Sequence, residues 1–82
     1  MSSRFEFHIN INEESIVMMD YQPEVDKYGE EKHDTYDLYS ALVEAMRQFE
    51  DEKKDMRGEV LEDGKVISEV TYTASEDDYN VL

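Results

Sequence analysis

Apolar and polar residues alternate strictly near the N-terminus, in the segment Arg-Phe-Glu-Phe-His-Ile-Asn-Ile at residues 4–11. Phe5, Phe7, Ile9 and Ile11 are the apolar members of this alternation. Because the side chains of a β-strand point alternately to opposite faces, the pattern predicts a strand with one buried face and one face toward water. The chain is therefore expected to build a sheet that is covered on one face.

A second strand is predicted at residues 15–21, Ser-Ile-Val-Met-Met-Asp-Tyr, and it is apolar on both sides. Residues 12–14 form a turn, so that the two strands make a hairpin. Either both faces of the second strand are covered, or one of them presents apolar side chains to a partner.

One amphipathic helix is predicted from residue 35 to about residue 54. Asp34 or Thr35 can cap its first turn, because a short oxygen side chain accepts hydrogen bonds from the free amides there. Gly58 is a candidate stop just beyond its end. The apolar residues at helical spacing are Leu38, Leu42, Ala45, Met46 and Phe49.

A second hairpin is predicted at residues 59–73. Its turn is Asp63-Gly64, since both residues tolerate the positive φ angles of a two-residue turn. On its last strand, one face is expected to carry Val66, Val70 and Tyr72. The acidic residues 74–82 either extend this strand or fray.

The order strand, strand, helix, strand, strand predicts a single α+β domain of two layers, in which one amphipathic helix packs on one face of an antiparallel sheet. The connection at residues 22–34 is longer than such a fold needs, and we expect it to be a mobile loop. The other face of the sheet has no second helix to cover it. It is therefore polar, closed by curvature, or a binding surface.

Acidic residues dominate the composition, with 22 Asp and Glu against 8 Lys and Arg and a net charge of -14 in 82 residues. Nucleic acids and anionic membranes both attract basic surfaces, so this charge argues against direct binding to either. Residues 20–37 and 59–82 carry eleven of the fourteen net charges. The acids serve solubility, adaptation to high salt, or recognition of a basic partner.

The sequence contains no recognisable catalytic or metal-binding motif. It has no cysteine and only two histidines, and it lacks a phosphate-binding glycine loop. The run Glu76-Asp77-Asp78 lacks the glycine and terminal glutamate of a calcium loop. We therefore predict a protein that is not an enzyme and has no cofactor or metal. Because no apolar run is long enough for a signal core or a membrane span, we expect a cytoplasmic location, in the host cell if the protein is viral.

An ordered array of carboxylates can imitate the phosphates of DNA. Carboxylates two residues apart on a strand lie roughly 6.7 Å apart, a spacing comparable to that of successive phosphates. Apolar side chains that insert into a pocket would then supply specificity. The predicted phosphate mimics are Glu14, Glu24, Asp26, Glu30, Glu31, Asp34, Asp37, Glu76, Asp77 and Asp78. The predicted apolar anchors are Ile16, Val17, Met18, Met19 and Tyr21.

The segment Glu-Ser-Ile-Val-Met-Met at residues 14–19 resembles the Glu-Ser-Ile-Leu-Met-Leu edge strand of the phage uracil-DNA glycosylase inhibitor family, whose members are short acidic α/β proteins that mimic DNA. In that family Pro-Glu-Glu follows, and here Pro23-Glu24 follows after three further residues. The resemblance implies that Glu14 and Ser15 lie near the catalytic groove of the enzyme. It implies that Ile16–Met19 flank or fill the pocket that inserts into DNA. It also implies that Glu24, Asp26, Glu30 and Glu31 stand in for phosphates.

The sequence thus predicts a small acidic inhibitor, encoded by a phage or mobile element, that blocks the DNA-binding groove of a basic host protein. Candidate targets are a nuclease, a CRISPR effector, a restriction enzyme, a DNA glycosylase or a nucleoid protein. The alternative is a protein-binding adaptor or a homodimer that uses the open sheet face or an edge strand.

Overall fold

The computed structural model describes residues 4–23, 25, 27–30 and 35–82. The elements in chain order are β1 (Phe5–Ile11), β2 (Ser15–Tyr21), α1 (Thr35–Arg47), a 3-10 helix (Glu50–Glu52), β3 (Met56–Glu62), β4 (Lys65–Thr73) and β5 (Asp78–Val81). The five strands form one antiparallel sheet in the order β2-β1-β3-β4-β5. The helix packs on one face of this sheet, which confirms the predicted two-layer α+β architecture.

The two predicted hairpins are present, and β1 joins them. Burial alternates residue by residue along β1, as its sequence pattern predicts. The turn between β3 and β4 places Asp63 at φ 51° and Gly64 at φ 85°, which are the positive angles expected of a two-residue turn. Strand β1 pairs with β3 with Ile9 opposite Gly58, so the N-terminal hairpin and the C-terminal hairpin share one continuous sheet.

The core lies between α1 and the face of the sheet toward the helix, called here the inner face. The helix packs mainly across β3 and β4. Its predicted apolar stripe is buried there, with Phe49 partly buried at its end. The buried core consists of Phe5, Phe7, Ile9, Ile11, Leu38, Leu42, Ala45, Met46, Met56, Val60, Val70 and Tyr72.

The helix ends at Arg47, so the prediction that it continues to about residue 54 is wrong. After Arg47 the chain tightens, because the N–H groups of Gln48 and Phe49 donate to carbonyls three residues earlier. A longer helix would place the acidic residues 50–52 at its C-terminus, where the helix dipole is negative and disfavours anions. These residues instead form the 3-10 helix, which Lys53 closes in the left-handed conformation at φ 57°.

Gly58 is a residue of β3, so the prediction that it stops the helix is also wrong. It lies directly beneath α1, where a Cβ atom would be 2.7 Å from the Met46 sulfur and 3.0 Å from a methyl carbon of Leu42. Both of these helix residues are fully buried. The glycine therefore lets the helix approach the centre of the sheet closely.

Strand β4 contains a bulge that changes which face its first residues occupy. The register against β3 shifts once, and Ile67 is the extra residue. Because a bulge interrupts the alternation of side chains, Val66 lies on the outer face, away from α1. The prediction that Val66 shares a face with Val70 and Tyr72 is therefore wrong, and Val66 is 42% exposed.

The acidic C-terminal segment forms a turn at residues 74–77 and the fifth strand, β5. Tyr79 pairs with Tyr72 across β4 and β5, and the Leu82 N–H donates to the Glu69 carbonyl at 2.9 Å. The sequence predicted that these residues either extend β4 or fray, and the structure instead shows a turn and a separate strand. It makes β5 one edge of the sheet and leaves β2 as the other.

Candidate functional site

Acidic residues from three separate segments of the chain meet at one end of the sheet. The strand directions bring the turn at residues 12–14, the segment 50–55 and the turn at residues 74–77 to this end. These segments surround an open pocket of about 510 Å³ between Asn12, Asp55 and Ala74. We call this region the acidic end. Its carboxylates belong to Glu13, Glu14, Glu50, Asp51, Glu52, Asp55, Glu76, Asp77 and Asp78.

Two tyrosines hold two of these carboxylates in place. The Tyr72 hydroxyl donates to Asp77 Oδ1 at 2.7 Å, and the Tyr79 hydroxyl donates to Glu50 Oε2 at 2.9 Å. The two rings lie side by side with their centroids 4.7 Å apart. The guanidinium group of Arg47 lies over the ring of Tyr79, 5.9 Å from its centroid. The tyrosine pair thus connects the core to the 3-10 helix and to the turn before β5.

Both hydroxyls are harder to ionise than an ordinary tyrosine. The hydrogen bond to Asp77 raises the pKa of Tyr72 from 10.0 to about 12, and burial and the negative charge of Asp77 act in the same direction. Burial raises the pKa of Tyr79 as well, and the hydrogen bond to Glu50 adds to this effect. Both tyrosines therefore remain neutral hydrogen-bond donors across the physiological pH range.

Backbone groups and one lysine hold two further carboxylates of the acidic end. Asp55 Oδ1 accepts a hydrogen bond from the Ala74 N–H at 2.9 Å, and the Asp55 carbonyl accepts one from the Asn12 N–H at 2.8 Å. Glu14 contacts Lys54 at 3.5 Å and accepts from the Asn12 side chain at 3.2 Å. These contacts link the turn after β1, the segment before β3 and the turn after β4.

The charge of the acidic end is far from balanced. Nine carboxylates lie in segments that also carry Lys53 and Lys54, and Arg47 and Arg57 lie at the border of the region, so acids outnumber bases by nine to four. The region reaches across the whole sheet, from the turn before β2 to the turn before β5. Four inter-strand spacings of about 4.8 Å give it a width of about 19 Å. A wide and rigidly mounted anionic surface is therefore the main electrostatic feature of the described residues.

The structure brings together only some of the predicted phosphate mimics. Glu14, Glu76, Asp77 and Asp78 lie at the acidic end. Asp37 lies in the first turn of α1, about 15 Å along the helix from Arg47, and it does not belong to the acidic end. Glu30 is exposed and lies outside the acidic end. The predicted mimics outside the described residues are Glu24, Asp26, Glu31 and Asp34.

Sequence reasoning missed more than half of the acidic end. The run at residues 50–52 was visible in the sequence, but the longer predicted helix placed it on a solvated helix surface. Nothing in the sequence alone indicated that this run would approach the acids beside β5. The missed carboxylates are those of Glu13, Glu50, Asp51, Glu52 and Asp55.

The predicted apolar anchors lie together on β2, an edge strand, and we call them the apolar edge. Ile16 and Met18 point to the outer face and are 61% and 67% exposed. Val17, Met19 and Tyr21 point to the inner face and are partly buried against the core. Tyr21 stacks on Phe7 with centroids 4.7 Å apart. One side of this strand therefore continues the core, and the other is open.

Charged groups on the outer face of the sheet are arranged in pairs. Arg57 forms an ion pair with Glu69, and Arg4 lies 3.3 Å from Asp20 and 3.7 Å from Glu6. His8 contacts the same Glu6 carboxylate group at 3.2 Å. Nothing among the described residues covers this face with a second layer, and it also carries exposed Ile16, Met18 and Val66. In this part of the chain the face is therefore open and mixed in polarity, and its use as a binding surface stays a prediction.

Within residues 4–23, 25, 27–30 and 35–82, no cluster of three or more His, Cys, Asp or Glu side chains has the geometry to hold a metal ion. The same residues contain no helix with the length and apolar character needed to cross a membrane. Comparison of the chain with protein-family models, with curated proteins and with solved structures finds no match.

Proposed function

We propose that this protein is a non-enzymatic inhibitor, encoded by a phage or mobile element, that imitates DNA and occupies the DNA-binding groove of a basic host protein. The candidate targets remain a nuclease, a CRISPR effector, a restriction enzyme, a DNA glycosylase or a nucleoid protein. The observation that carries the proposal is the acidic end, where acids from distant parts of the sequence lie on one side of a folded sheet.

The density of charge at the acidic end is of the order that a DNA-binding groove recognises. Duplex DNA carries one phosphate per about 1.7 Å of axis, and therefore about eleven phosphates over 19 Å. The acidic end presents nine carboxylates over the same width. A groove lined with Lys and Arg would exchange its phosphate contacts for carboxylate contacts of similar number.

The way in which the carboxylates are held also supports mimicry. The donors to Asp77, Glu50 and Asp55 are tyrosine hydroxyls and a backbone N–H, which fix the carboxylates without neutralising them. Positions fixed before binding reduce the entropy that binding must overcome. The surplus of negative charge also accelerates encounter with a basic partner.

The apolar edge supplies specificity for one partner, because carboxylates alone bind any basic surface. Exposed Ile16 and Met18 are suited to insertion into an apolar pocket, and methionine packs adaptably. Glu14 lies at the start of this strand and belongs to the acidic end. The segment that resembles the uracil-DNA glycosylase inhibitor family thus lies on an edge strand beside the acids, and this arrangement supports a related mode of binding.

The proposal predicts that a captured partner competes with DNA. The tagged protein should retain a nucleic-acid enzyme or nucleoid protein from bacterial lysate, and excess duplex DNA should displace it. Mass spectrometry identifies the partner. A partner that DNA does not displace would contradict mimicry and favour the adaptor alternative.

A matched pair of variants then tests which acids act. The triple variant Asp51→Asn, Glu52→Gln and Glu76→Gln removes three charges from the acidic end. The control, Glu44→Gln, Glu59→Gln and Glu62→Gln, removes three charges elsewhere. We expect the first variant to bind the captured partner at least tenfold more weakly and with a smaller salt dependence, since close charge pairs across interfaces contribute strongly. Equal losses in the two variants would assign the effect to net charge rather than to the acidic end.

A further inference from the structure

The free side of β2 is an unprotected sheet edge. Strand β2 pairs with β1 on one side, and no further strand follows it in the sheet of the described residues. Its sequence, Ser-Ile-Val-Met-Met-Asp-Tyr, contains no proline, no glycine and a single charge. Residues 15–20 of such a strand offer a row of backbone N–H and C=O groups for pairing with another chain.

The other edge of the sheet is built differently. Strand β5 has only four residues and begins with an aspartate. Short length and charge are the usual means by which proteins prevent unwanted pairing at sheet edges. Strand β2 is longer, at seven residues, and its one charge lies near its end, so its edge is less protected than that of β5.

The side chains of β2 show what an added strand would meet. On the inner face, Val17 and Met19 are half-covered by the core and have room for an apolar neighbour beside them. On the outer face, Ile16 and Met18 are mostly exposed and would be covered by the side chains of the added strand. An occupant with apolar side chains in its middle would therefore bury surface on both faces.

Carboxylates mark both ends of this apolar stretch. Glu14 and Asp20 are six residues apart, which is about 20 Å along an extended chain. Glu14 is 65% exposed and contacts Lys54 at 3.5 Å, and Asp20 is 75% exposed and contacts Arg4 at 3.3 Å. Because exposed ion pairs contribute little, both carboxylates can exchange their present cation for one from a partner. A second copy of this chain would bring the same acids to the edge and would be repelled.

We propose that β2 is a docking strand, and that an extended segment of a partner protein adds to its free edge as a sixth strand. The segment is apolar in its middle and carries lysine or arginine near both ends. This inference goes beyond the proposed function, since strand addition requires no DNA-binding groove in the partner.

Synthetic peptides test the docking strand without a natural partner. The probe is a nine-residue peptide of alternating threonine and valine with a lysine at each end. One control has glutamate at each end, and a second control has proline at the central position, which cannot donate to a strand ladder. We expect fluorescence anisotropy to show that both controls bind at least tenfold more weakly than the lysine peptide. Amides of β2 should become protected from hydrogen exchange when the lysine peptide binds.

Variants of the protein locate the binding. Ile16→Thr with Met18→Thr removes the exposed apolar side chains of β2 and should weaken binding of the lysine peptide at least fivefold. Val81→Thr makes a similar change on the other edge strand, where the valine is 55% exposed, and should leave binding within twofold. Circular dichroism confirms that each variant is folded.

Four results would overturn the inference. The lysine peptide does not bind, or the glutamate peptide binds as tightly, or the two variants lose affinity equally. Protection of the β2 amides that increases with protein concentration, in the absence of peptide, would show a second copy as the occupant and would also overturn it. Displacement of a lysate partner by DNA would be unaffected by any of these results, so the two proposals fail separately.

Discussion

The acidic end and the outer face of the sheet both carry carboxylates, but their carboxylates are held by different donors. On the outer face the donors are cations, as in the pairs of Arg57 with Glu69 and Arg4 with Asp20. At the acidic end the donors include the neutral hydroxyls of Tyr72 and Tyr79. A cation positions a carboxylate and cancels its charge, whereas a hydroxyl positions it and leaves the charge intact. The difference explains how a small domain concentrates its negative potential at one end.

A rise in pH should destabilise the protein through the tyrosine pair of the acidic end, and we expect this to be the largest of the predicted effects on stability. The folded state raises the pKa of Tyr72 to about 12 from an ordinary 10.0, so the fold favours the neutral hydroxyl. Its contribution to stability is therefore complete below pH 10 and is lost as the pH rises through about 12. We expect cooperative alkaline unfolding in this interval, measured by circular dichroism. Absorbance at 295 nm should show two tyrosines that ionise only as the fold is lost.

Asp77→Asn is the control for the tyrosine prediction. It removes the negative charge that opposes ionisation but keeps an oxygen that accepts a hydrogen bond. The titration of one tyrosine should move toward pH 10. If all six tyrosines of the wild-type protein titrated near pH 10 while the fold remained intact, the claim that neutral tyrosine hydroxyls hold the carboxylates of the acidic end would be wrong.

Salt should stabilise the protein, because it screens the repulsion among surplus acids. Between 0.05 and 1 M sodium chloride we expect Tm to rise by at least about 5 °C, which corresponds to roughly 1 kcal/mol in a domain of this size. Differential scanning calorimetry measures this. A Tm that is flat or falls over this range would mean that the carboxylates of the acidic end repel one another little.

Single charge substitutions test the difference in charge balance between the acidic end and the outer face, and we expect their effects on stability to be the smallest. Arg57→Gln should destabilise the protein by about 0.5–1 kcal/mol, because it removes the cation that pairs with Glu69, which lies directly opposite Glu59 on the neighbouring strand. Asp51→Asn should instead stabilise it by a few tenths of a kcal/mol, since this residue lies among surplus acids. Chemical denaturation at low salt measures both. If both substitutions lowered the free energy of unfolding, or both raised it, the acidic end and the outer face would not differ in charge balance.

The sequence was sufficient for the local features of the fold, because these depend on neighbouring residues. The alternation through Phe5 and Ile11 identified β1, and Asp63-Gly64 identified the second turn. The helix end was missed because Phe49 continues the apolar spacing, although the acids after it disfavour a longer helix. Gly58 was misread because only the packed structure shows that Met46 lies above it.

The candidate site was less predictable than the fold, since it depends on which strands are neighbours. The apolar edge was visible, because all its anchors lie within the six residues 16–21. The acidic end was visible only in part, because its members come together through the pairing of β1 with β3 and of β4 with β5. Tyr79 and Glu50 are 29 residues apart, and no local pattern relates them.

The position of β1 inside the sheet, between β2 and β3, has a consequence for synthesis of the protein. Phe5 pairs opposite Glu62, so β1 leaves the ribosome more than fifty residues before the strand that becomes its second neighbour is complete. A hairpin of β1 and β2 alone is at best marginally stable in water. The nascent chain therefore exposes the phenylalanines of β1 until β3 is made. During this interval the high net charge of the many carboxylates opposes aggregation of the nascent chain.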